Sequence, residues 1–154
     1  MESYSVRYRF STPFKASAKR AYDWCTDYRP DDNARMGMSG KRKIEQINDD
    51  TLVLTDVFGT GGKKVTKKKM VRLNPERLSW TSTYLSGALR YSQFLYEVVP
   101  TGEDRSKLNF TGLQVFWGPR PSAKERAEIR RRLATEDSAD WRLLADALNR
   151  DLKK

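Results

Sequence analysis

The stretch of sequence that decides the fold is YSVRYRFSTPFKASAKRAYDWCTDY, residues 4–28. Its first half alternates between apolar and polar side chains, which predicts a strand with one buried face made by Tyr4, Val6, Tyr8 and Phe10. Pro13 predicts the end of this strand. Ser17 suits the N-cap of a following helix, which Pro30 ends. The apolar face of this helix falls at helical spacing on Ala18, Ala21, Tyr22 and Cys25.

After this stretch, the pattern predicts a second short helix or turn at residues 31–40, followed by a series of strands. Turn residues separate six strand-like segments, at 41–47, 51–58, 63–73, 77–85, 89–99 and 107–117. Because the connections between them are short, we predict an antiparallel meander.

The last segment predicts one long helix. Ser122 and Glu125 form a capping box, S-x-x-E, and no proline or glycine follows before the end. Its apolar stripe is small in the first half and bulky in the second: Ala123, Ala127, Ala134, Ser138, Trp141, Ala145, Leu148 and Leu152. The first strand needs cover for its apolar face and so should join the sheet. We therefore predict a single α+β domain over residues 1–154, with a seven-stranded antiparallel sheet wrapped around the long helix.

Composition excludes several classes of chemistry. The chain has 154 residues, no histidine and one cysteine, so histidine-based nucleophilic triads are absent, and zinc or iron–sulfur sites are not expected. A single cysteine fits a reducing cytoplasm, and residues 1–10 lack the pattern of a secretory signal. No apolar run is long enough to span a bilayer. We therefore predict a cytoplasmic protein without a metal or a cofactor.

The charge is strongly positive and unevenly placed. The net charge is +10, and residues 41–77 hold ten Lys or Arg against five Asp or Glu. Such a balance favours acidic partners such as nucleic acid, an anionic lipid surface or an acidic ligand. A well-solvated surface that keeps the protein soluble explains the same charge.

This order of strands and helices resembles that of the START-like or SRPBCC superfamily, whose architecture is the helix-grip fold. The resemblance rests on residues 4–28, with an alternating strand, a proline and a short helix ending in Thr26-Asp27, and on the capped terminal helix from Ser122. Members of this superfamily include plant pollen allergens, steroid and lipid transfer domains and polyketide cyclase-like proteins. The superfamily has no invariant catalytic signature, so the resemblance assigns no catalytic residue here.

The resemblance implies a cavity between the concave face of the sheet and the long helix. Aromatic residues of the strands are candidates for its lining: Tyr8, Phe10, Phe58, Trp80, Tyr84, Phe94, Tyr96 and Phe110. On the helix the candidates are Ala127, Ala134, Ser138 and Trp141, of which the small residues would leave room for a ligand. The alternative is that all of these residues are ordinary core.

A few polar residues are candidates for a role in such a pocket. Asp137 falls beside the apolar stripe of the long helix, and an inward carboxylate needs a partner, for which Arg90 or Tyr91 is a candidate. The aspartates at 27, 31 and 32 suit acid–base or metal chemistry only if they are buried. Their polar surroundings favour capping or solvent exposure instead.

The glycine- and lysine-rich stretch VFGTGGKKVTKKKMVRL, residues 57–73, is not a phosphate-binding loop. The motif G-x-x-x-x-G-K-[ST] is absent, and the glycines at 59–62 lie between two predicted strands, which indicates a hairpin turn. Neighbouring strand residues point to opposite faces, so Lys67 and Lys69 share one face and Lys68 the other. At least one lysine should therefore face the concave side, where it could meet an acidic head group.

Two classes of function follow. The first is binding or transport of a small apolar or amphipathic molecule, acidic or not, which cyclase-like relatives combine with catalysis. The alternative is a macromolecular binding module that uses the basic hairpin 63–72 on nucleic acid or on a protein, as co-chaperone relatives of this fold do. The first requires an enclosed cavity, and the second requires a contiguous basic surface and salt-dependent association. Neither ligand identity nor oligomeric state follows from the sequence.

Overall fold

The computed structural model describes residues 2–35, 39–60 and 62–153. The elements follow one another as strand β1 (Ser3–Phe14), helix α1 (Ala18–Thr26), helix α2 (Asp32–Arg35), six further strands and a long helix α3 (Ala123–Asp151). The six strands are β2 (Lys41–Asn48), β3 (Thr51–Thr60), β4 (Lys63–Asn74), β5 (Ser79–Tyr84), β6 (Gln93–Gly102) and β7 (Arg105–Trp117). The predicted α+β architecture is confirmed.

All seven strands form one antiparallel sheet in the order β1-β7-β6-β5-β4-β3-β2. Strands β2 to β7 are a meander, and β1 closes the series by pairing with β7 along its whole length. The first and second strands of the chain are therefore the two edges of the sheet. Helices α1 and α2 link these two edges, and α1 contacts β6 and β7 while α2 contacts β2.

Strand β1 has the face pattern expected from its alternation. Val6 and Tyr8 are buried, whereas Arg7 and Arg9 are exposed. The prediction that Pro13 ends the strand was wrong by one residue, because β1 runs to Phe14. Since β1 is an edge strand, a residue without a backbone N–H can remain in its ladder.

Helices α1 and α3 begin at the predicted N-cap residues. The Ser17 hydroxyl accepts a hydrogen bond from the backbone N–H of Arg20 at the start of α1, and that of Ser122 accepts one from Glu125 at the start of α3. Helix α1 ends at Thr26, before Pro30. The Thr26 hydroxyl donates a hydrogen bond to the Tyr22 carbonyl in this last turn. The second short helix is present as α2, and residues 36–38 of that predicted segment lie outside the described residues.

Most strand bounds agree with the sequence, with one clear exception before β6. The segment from residue 89 was predicted to be strand, but β6 begins at Gln93. Residues 85–92 form a connection in which Gly87 and Tyr91 have positive φ angles of 81° and 70°. The hairpin predicted at 59–62 is confirmed by the pairing of Thr60 with Lys63, while Gly61 lies outside the described residues.

The core lies between the sheet and α3. In α3 the buried residues are Leu133, Ala145 and Leu148, of which the last two belong to the predicted stripe. Ala134, Trp141 and Leu152 of the stripe are partly buried and pack against the same core. Ala123, in contrast, is exposed at the first turn of the helix. Of the helices in the described part of the chain, none combines the length and the apolarity that crossing a membrane requires.

Candidate functional site: a cavity beneath the C-terminal half of the long helix

A cavity of about 600 Å³ lies between the C-terminal half of α3, the α1–α2 segment and the sheet. Its apolar wall contains five aromatic residues, Trp24, Tyr28, Trp80, Tyr96 and Trp141, together with Cys25, Leu144 and Ala147. Its charged residues are Asp27, Arg29, Asp32, Arg42, Lys69, Arg150 and Asp151. The cavity thus combines an apolar wall that is rich in aromatic rings with a nearly equal number of charged residues.

Three aromatic side chains from three elements form one side of the cavity. Trp80 of β5 and Tyr96 of β6 are opposite each other in the sheet, and their rings stack with centroids 4.7 Å apart and planes within 4°. Trp141 of α3 packs on both, with centroid distances of 6.4 Å and 5.7 Å. A flat aromatic surface of this kind favours ligands with planar or apolar groups.

Arg42 and Asp56 form a buried ion pair behind the charged side of the cavity. Their side chains are 8% and 9% exposed, and two hydrogen bonds of 2.7 Å and 3.0 Å join the guanidinium to the carboxylate. Burial alone would raise the pKa of Asp56, but the hydrogen bonds and charge of Arg42 outweigh it and lower that pKa. The arginine also donates to Asp32 of α2 at 2.9 Å. The pair therefore joins α2 to β2 and β3.

Lys69 of β4 is the lysine of the hairpin that lies in the cavity wall. Its ammonium lies 5.8 Å from the centre of the Tyr84 ring and has no carboxylate within ion-pair distance among the described residues. Burial and the Arg42 charge lower its pKa to about 8, although Asp56 acts in the opposite direction. Lys69 is therefore a positively charged group that lacks a partner and faces the space a ligand would occupy.

The other ionisable groups of the apolar wall stay neutral. Burial raises the pKa of the Cys25 thiol to about 12, so it is not a thiolate nucleophile at neutral pH. Burial also raises the pKa of Tyr28 and of Tyr96. Both phenols therefore stay protonated and can donate a hydrogen bond to a ligand.

Part of the predicted lining lies at this cavity and part does not. Trp80, Tyr96, Trp141 and Lys69 are at its wall. Tyr8, Ala127 and Ala134 line a separate, open groove between β1 and the N-terminal half of α3. The remaining candidates line neither space: Phe10, Phe58, Tyr84, Phe94, Phe110, Ser138, Asp137 and Lys67.

The space under the first half of α3 is filled, so Ala127 and Ala134 border the open groove and not an enclosed cavity. Phe110 is at the centre of an aromatic cluster, 4.5 Å from the ring of Phe10 and 5.5 Å from that of Tyr8. The Tyr8 ring lies directly over Gly112, where an added Cβ would be 2.6 Å from it. Leu133, between the helix alanines, is buried against this cluster.

The hydrogen-bond partner of Asp137 is Tyr8, and not Arg90 or Tyr91 as predicted. The Tyr8 hydroxyl donates a short hydrogen bond to its Oδ2. Burial and the neighbouring acidic residues raise the pKa of Asp137, while the Tyr8 hydrogen bond opposes the shift. Arg90 instead lies over the Trp117 ring at 4.4 Å, and Tyr91 is 61% exposed.

The remaining charged candidates lie at the surface, with the exception of Asp32, which is only 17% exposed and accepts a hydrogen bond from Arg42 instead of facing solvent. Lys67 and Lys68 are exposed, and Lys67 lies 5.8 Å from the centre of the Phe58 ring. Asp27 pairs with Arg29 at the cavity mouth, and both side chains are about half exposed. The described residues contain no cluster of three or more acidic or cysteine side chains suited to a metal ion.

Sequence reasoning missed Arg42 and Asp56, although a signal for both was present. Asp56 is in phase with Leu52 and Leu54, the buried face of β3, so its carboxylate had to point inward. An inward carboxylate requires a partner. Arg42 stands directly opposite it on β2, and only the register of the two strands reveals that.

Comparison with known proteins adds information on the fold. The sequence matches no protein-family model and none of the curated proteins. Solved structures do match. The Zhui aromatase/cyclase from a Streptomyces species is 14% identical, with a TM-score of 0.75 and 97% of each chain covered. Norcoclaurine synthase from Thalictrum flavum, in complex with dopamine and hydroxybenzaldehyde, is 17% identical, with a TM-score of 0.68, over 99% of this chain and 90% of that one. Ara h 8.0201 is 9% identical, with a TM-score of 0.71, over 94% and 98% of the two chains.

Proposed function

We propose that this chain, which has the helix-grip fold, binds a small amphipathic molecule in the cavity beneath α3. The apolar part of the ligand packs against Trp80, Tyr96 and Trp141, and an acidic or carbonyl oxygen meets the Lys69 ammonium. The observation that carries the proposal is Lys69 itself: a partly buried cation without a partner in an aromatic wall. An unpaired buried charge is costly, and a bound anion relieves that cost.

The size and composition of the cavity support this proposal. Ligand sites are usually clefts of about 300–1,000 Å³ with mainly apolar walls and a few placed polar groups. The present cavity, at about 600 Å³, is within that range. Norcoclaurine synthase was solved with dopamine and hydroxybenzaldehyde, so small aromatic molecules bind to at least one protein that this chain resembles in fold.

The proposal extends to cyclase-like catalysis by positioning. A group that titrates near neutral pH can both take and give a proton, and the Lys69 pKa of about 8 meets that condition. Tyr28 and Tyr96 would stay neutral and donate hydrogen bonds to a carbonyl oxygen. In such a reaction the aromatic wall would hold a flexible substrate folded while Lys69 exchanges a proton with it.

Two measurements test the binding proposal. Native mass spectrometry of gently purified protein would identify a molecule retained from the cell. In parallel, fluorescence titration compares two probes with similar aromatic bodies: 8-anilinonaphthalene-1-sulfonate, which is anionic, and N-phenyl-1-naphthylamine, which is neutral. We expect both to bind, and we expect affinity for the sulfonate alone to fall as pH rises above about 8, because Lys69 then loses its charge.

Matched variants assign the effect to Lys69. Lys69→Met should weaken sulfonate binding about tenfold and leave the neutral probe unaffected. Lys67→Met is the control, because Lys67 is on the same strand and face but is exposed. If neither probe binds and no retained molecule is found, the cavity proposal is wrong. If both lysine variants weaken the sulfonate equally, Lys69 has no special role.

The alternative of a binding surface on the hairpin 63–72 stays a prediction. Its exposed lysines are Lys63, Lys64, Lys67 and Lys68. Lysines on an exposed hairpin also arise simply as a solvated surface that discourages edge pairing. No geometric feature distinguishes these lysines as a site in the way that the cavity wall distinguishes Lys69.

A further inference from the structure

Arginines make up more than half of the lining of the groove between β1 and the N-terminal half of α3. It has a volume of about 660 Å³, and four of its seven lining residues are Arg7, Arg9, Arg130 and Arg131. A smaller adjoining pocket contains Arg120 and Arg126. No carboxylate lines either space within the described chain. We call this surface the arginine groove.

The backbone of β1 fixes two of these arginines in place. The free edge of β1 exposes carbonyl oxygens that have no strand to pair with. Arg126 donates a hydrogen bond to the Ser5 carbonyl, and Arg130 donates one to the Arg7 carbonyl at 3.0 Å. A guanidinium has five N–H donors, so each keeps several for a ligand. Neither forms an ion pair with a described carboxylate.

Two short rows of arginines flank the groove, one on strand β1 and one on helix α3. Arg7 and Arg9 are two residues apart on a strand, which separates them by roughly 7 Å. Arg126 and Arg130 are four residues apart on a helix, which separates them by roughly 6 Å along its axis. Two short rows of cations with similar separations suit a ligand whose negative charge repeats along a chain. Arginine also binds phosphate oxygens in a bidentate manner, which lysine does not.

We propose that the arginine groove binds the sugar–phosphate backbone of single-stranded nucleic acid, separately from the ligand cavity. The chemistry of the groove favours this occupant over a protein or a membrane. The core of a protein interface and the inserted face of a membrane-bound segment both contain apolar or aromatic groups in addition to charge. The large exposed hydrophobic residues are Ile47, Val65, Leu85, Tyr91, Leu113 and Leu143, none of which lines the groove.

The test is the salt dependence of binding to a fluorescein-labelled 12-residue oligouridylate, measured by anisotropy with the full chain. Each phosphate contact with a single strand contributes about −0.7 to the slope of log K against log salt. One contact from each arginine that lines the groove, Arg7, Arg9, Arg130 and Arg131, therefore predicts a slope of about −2.8. The variant with Arg9→Gln and Arg131→Gln should halve the magnitude of the slope, to about −1.4, and weaken binding at low salt at least tenfold. Neither side chain donates a hydrogen bond to a described residue, so folding should be unaffected.

A charge-matched control separates the groove from general attraction. Lys63→Gln with Lys64→Gln removes the same charge from the exposed hairpin and should leave the slope unchanged. Equal weakening by both double variants would overturn the proposal, since binding would then follow net charge alone. Equal competition by polyglutamate of matched length would overturn it in favour of an acidic protein. Binding to phosphatidylserine vesicles but not to the oligonucleotide would overturn it in favour of a membrane.

Discussion

At the scale of single residues, Lys69 is a side chain that costs stability in the folded state and for which we propose a role in binding. Its neighbours on β4, Lys67 and Lys68, are solvated, whereas its own ammonium is held beneath the α1–α2 segment beside Arg42. A lowered lysine pKa means that the folded state holds the charge less well than the unfolded chain does. The charge of Lys69 therefore does not stabilise the fold, which supports the proposed role in binding.

Lys69→Met should stabilise the protein at neutral pH, by about 1–3 kcal/mol. The pKa of Lys69 falls from 10.5 to about 8 on folding. Below pH 8 both states are protonated and the full cost of the buried charge remains. Between about pH 8 and 10.5 the unfolded state binds more protons, so wild-type stability rises with pH and the advantage of the variant shrinks.

Urea denaturation of wild type and variant at pH 7 and at pH 10 measures this difference. Lys67→Met, at the exposed position on the same face, is the control and should show no such change with pH. A Lys69→Met variant that is less stable than wild type at pH 7, or equally shifted at both pH values, would show that the Lys69 ammonium is well solvated.

At the scale of elements, the buried ion pair between Arg42 and Asp56 ties the short helix α2 to the edge of the sheet. Arg42 is on β2, Asp56 is on β3, and Asp32 of α2 accepts a third hydrogen bond from the same guanidinium. Asn33 of α2 also donates to Asp56, at 3.2 Å. A helix of four residues has little stability by itself, so these contacts hold it over the cavity.

Asp56→Asn should destabilise the protein by about 3 kcal/mol, because it leaves the Arg42 charge buried without its main partner. Folding lowers the pKa of Asp56 below 3.8. Its contribution is thus present above that pH and is lost as the pH falls through the lowered pKa of the folded state. Chemical denaturation from pH 7 to pH 3 should show a smaller acid-dependent loss for the variant than for wild type.

Asp23→Asn is the matched control, because Asp23 pairs with Lys19 on the exposed side of α1 and has a side chain that is 56% exposed. It should have little effect on stability at any pH. If Asp23→Asn lost as much stability as Asp56→Asn, the loss would not depend on the buried ion pair, and this interpretation of Asp56 would be wrong.

The elements also show where sequence reasoning succeeds and where it stops. The alternation in β1 and the two serine caps have local causes, so they were predictable from a few neighbouring residues. The start of β6 was missed because residues 89–92 have a strand-like composition, whereas the connection places Tyr91 at a positive φ angle. The partner of Asp137 was missed because Tyr8 is 129 positions away in the chain.

At the scale of the whole molecule, α3 divides the protein into two regions with different chemistry. Its N-terminal half covers a filled aromatic core and borders the arginine groove, whereas its C-terminal half covers the cavity. The resemblance implied a cavity along the helix, and the small residues Ala127, Ala134 and Ser138 predicted it under the first half, whereas it lies under the second half. That position depends on which half is filled, and Leu133 together with the Tyr8 ring over Gly112 fills the first.

This division predicts that the two sites can be blocked independently. Ala147 is at the cavity wall on α3, and Ala127 is at the groove. Ala147→Phe should fill part of the cavity and weaken both aromatic probes at least tenfold while leaving oligonucleotide binding intact. Ala127→Phe should do the reverse, because its ring would obstruct the space between the two rows of arginines.

Thermal unfolding with and without probe tests this independence in one experiment. A ligand at 100 times its Kd stabilises the folded state by about 2.7 kcal/mol, so wild type and Ala127→Phe should both show a rise in Tm on adding the neutral probe. Ala147→Phe should show none, although its own Tm should not fall, because the added ring occupies existing space. If Ala147→Phe lost oligonucleotide binding as well, the two regions would be one coupled site, and the division of the molecule along α3 would be wrong.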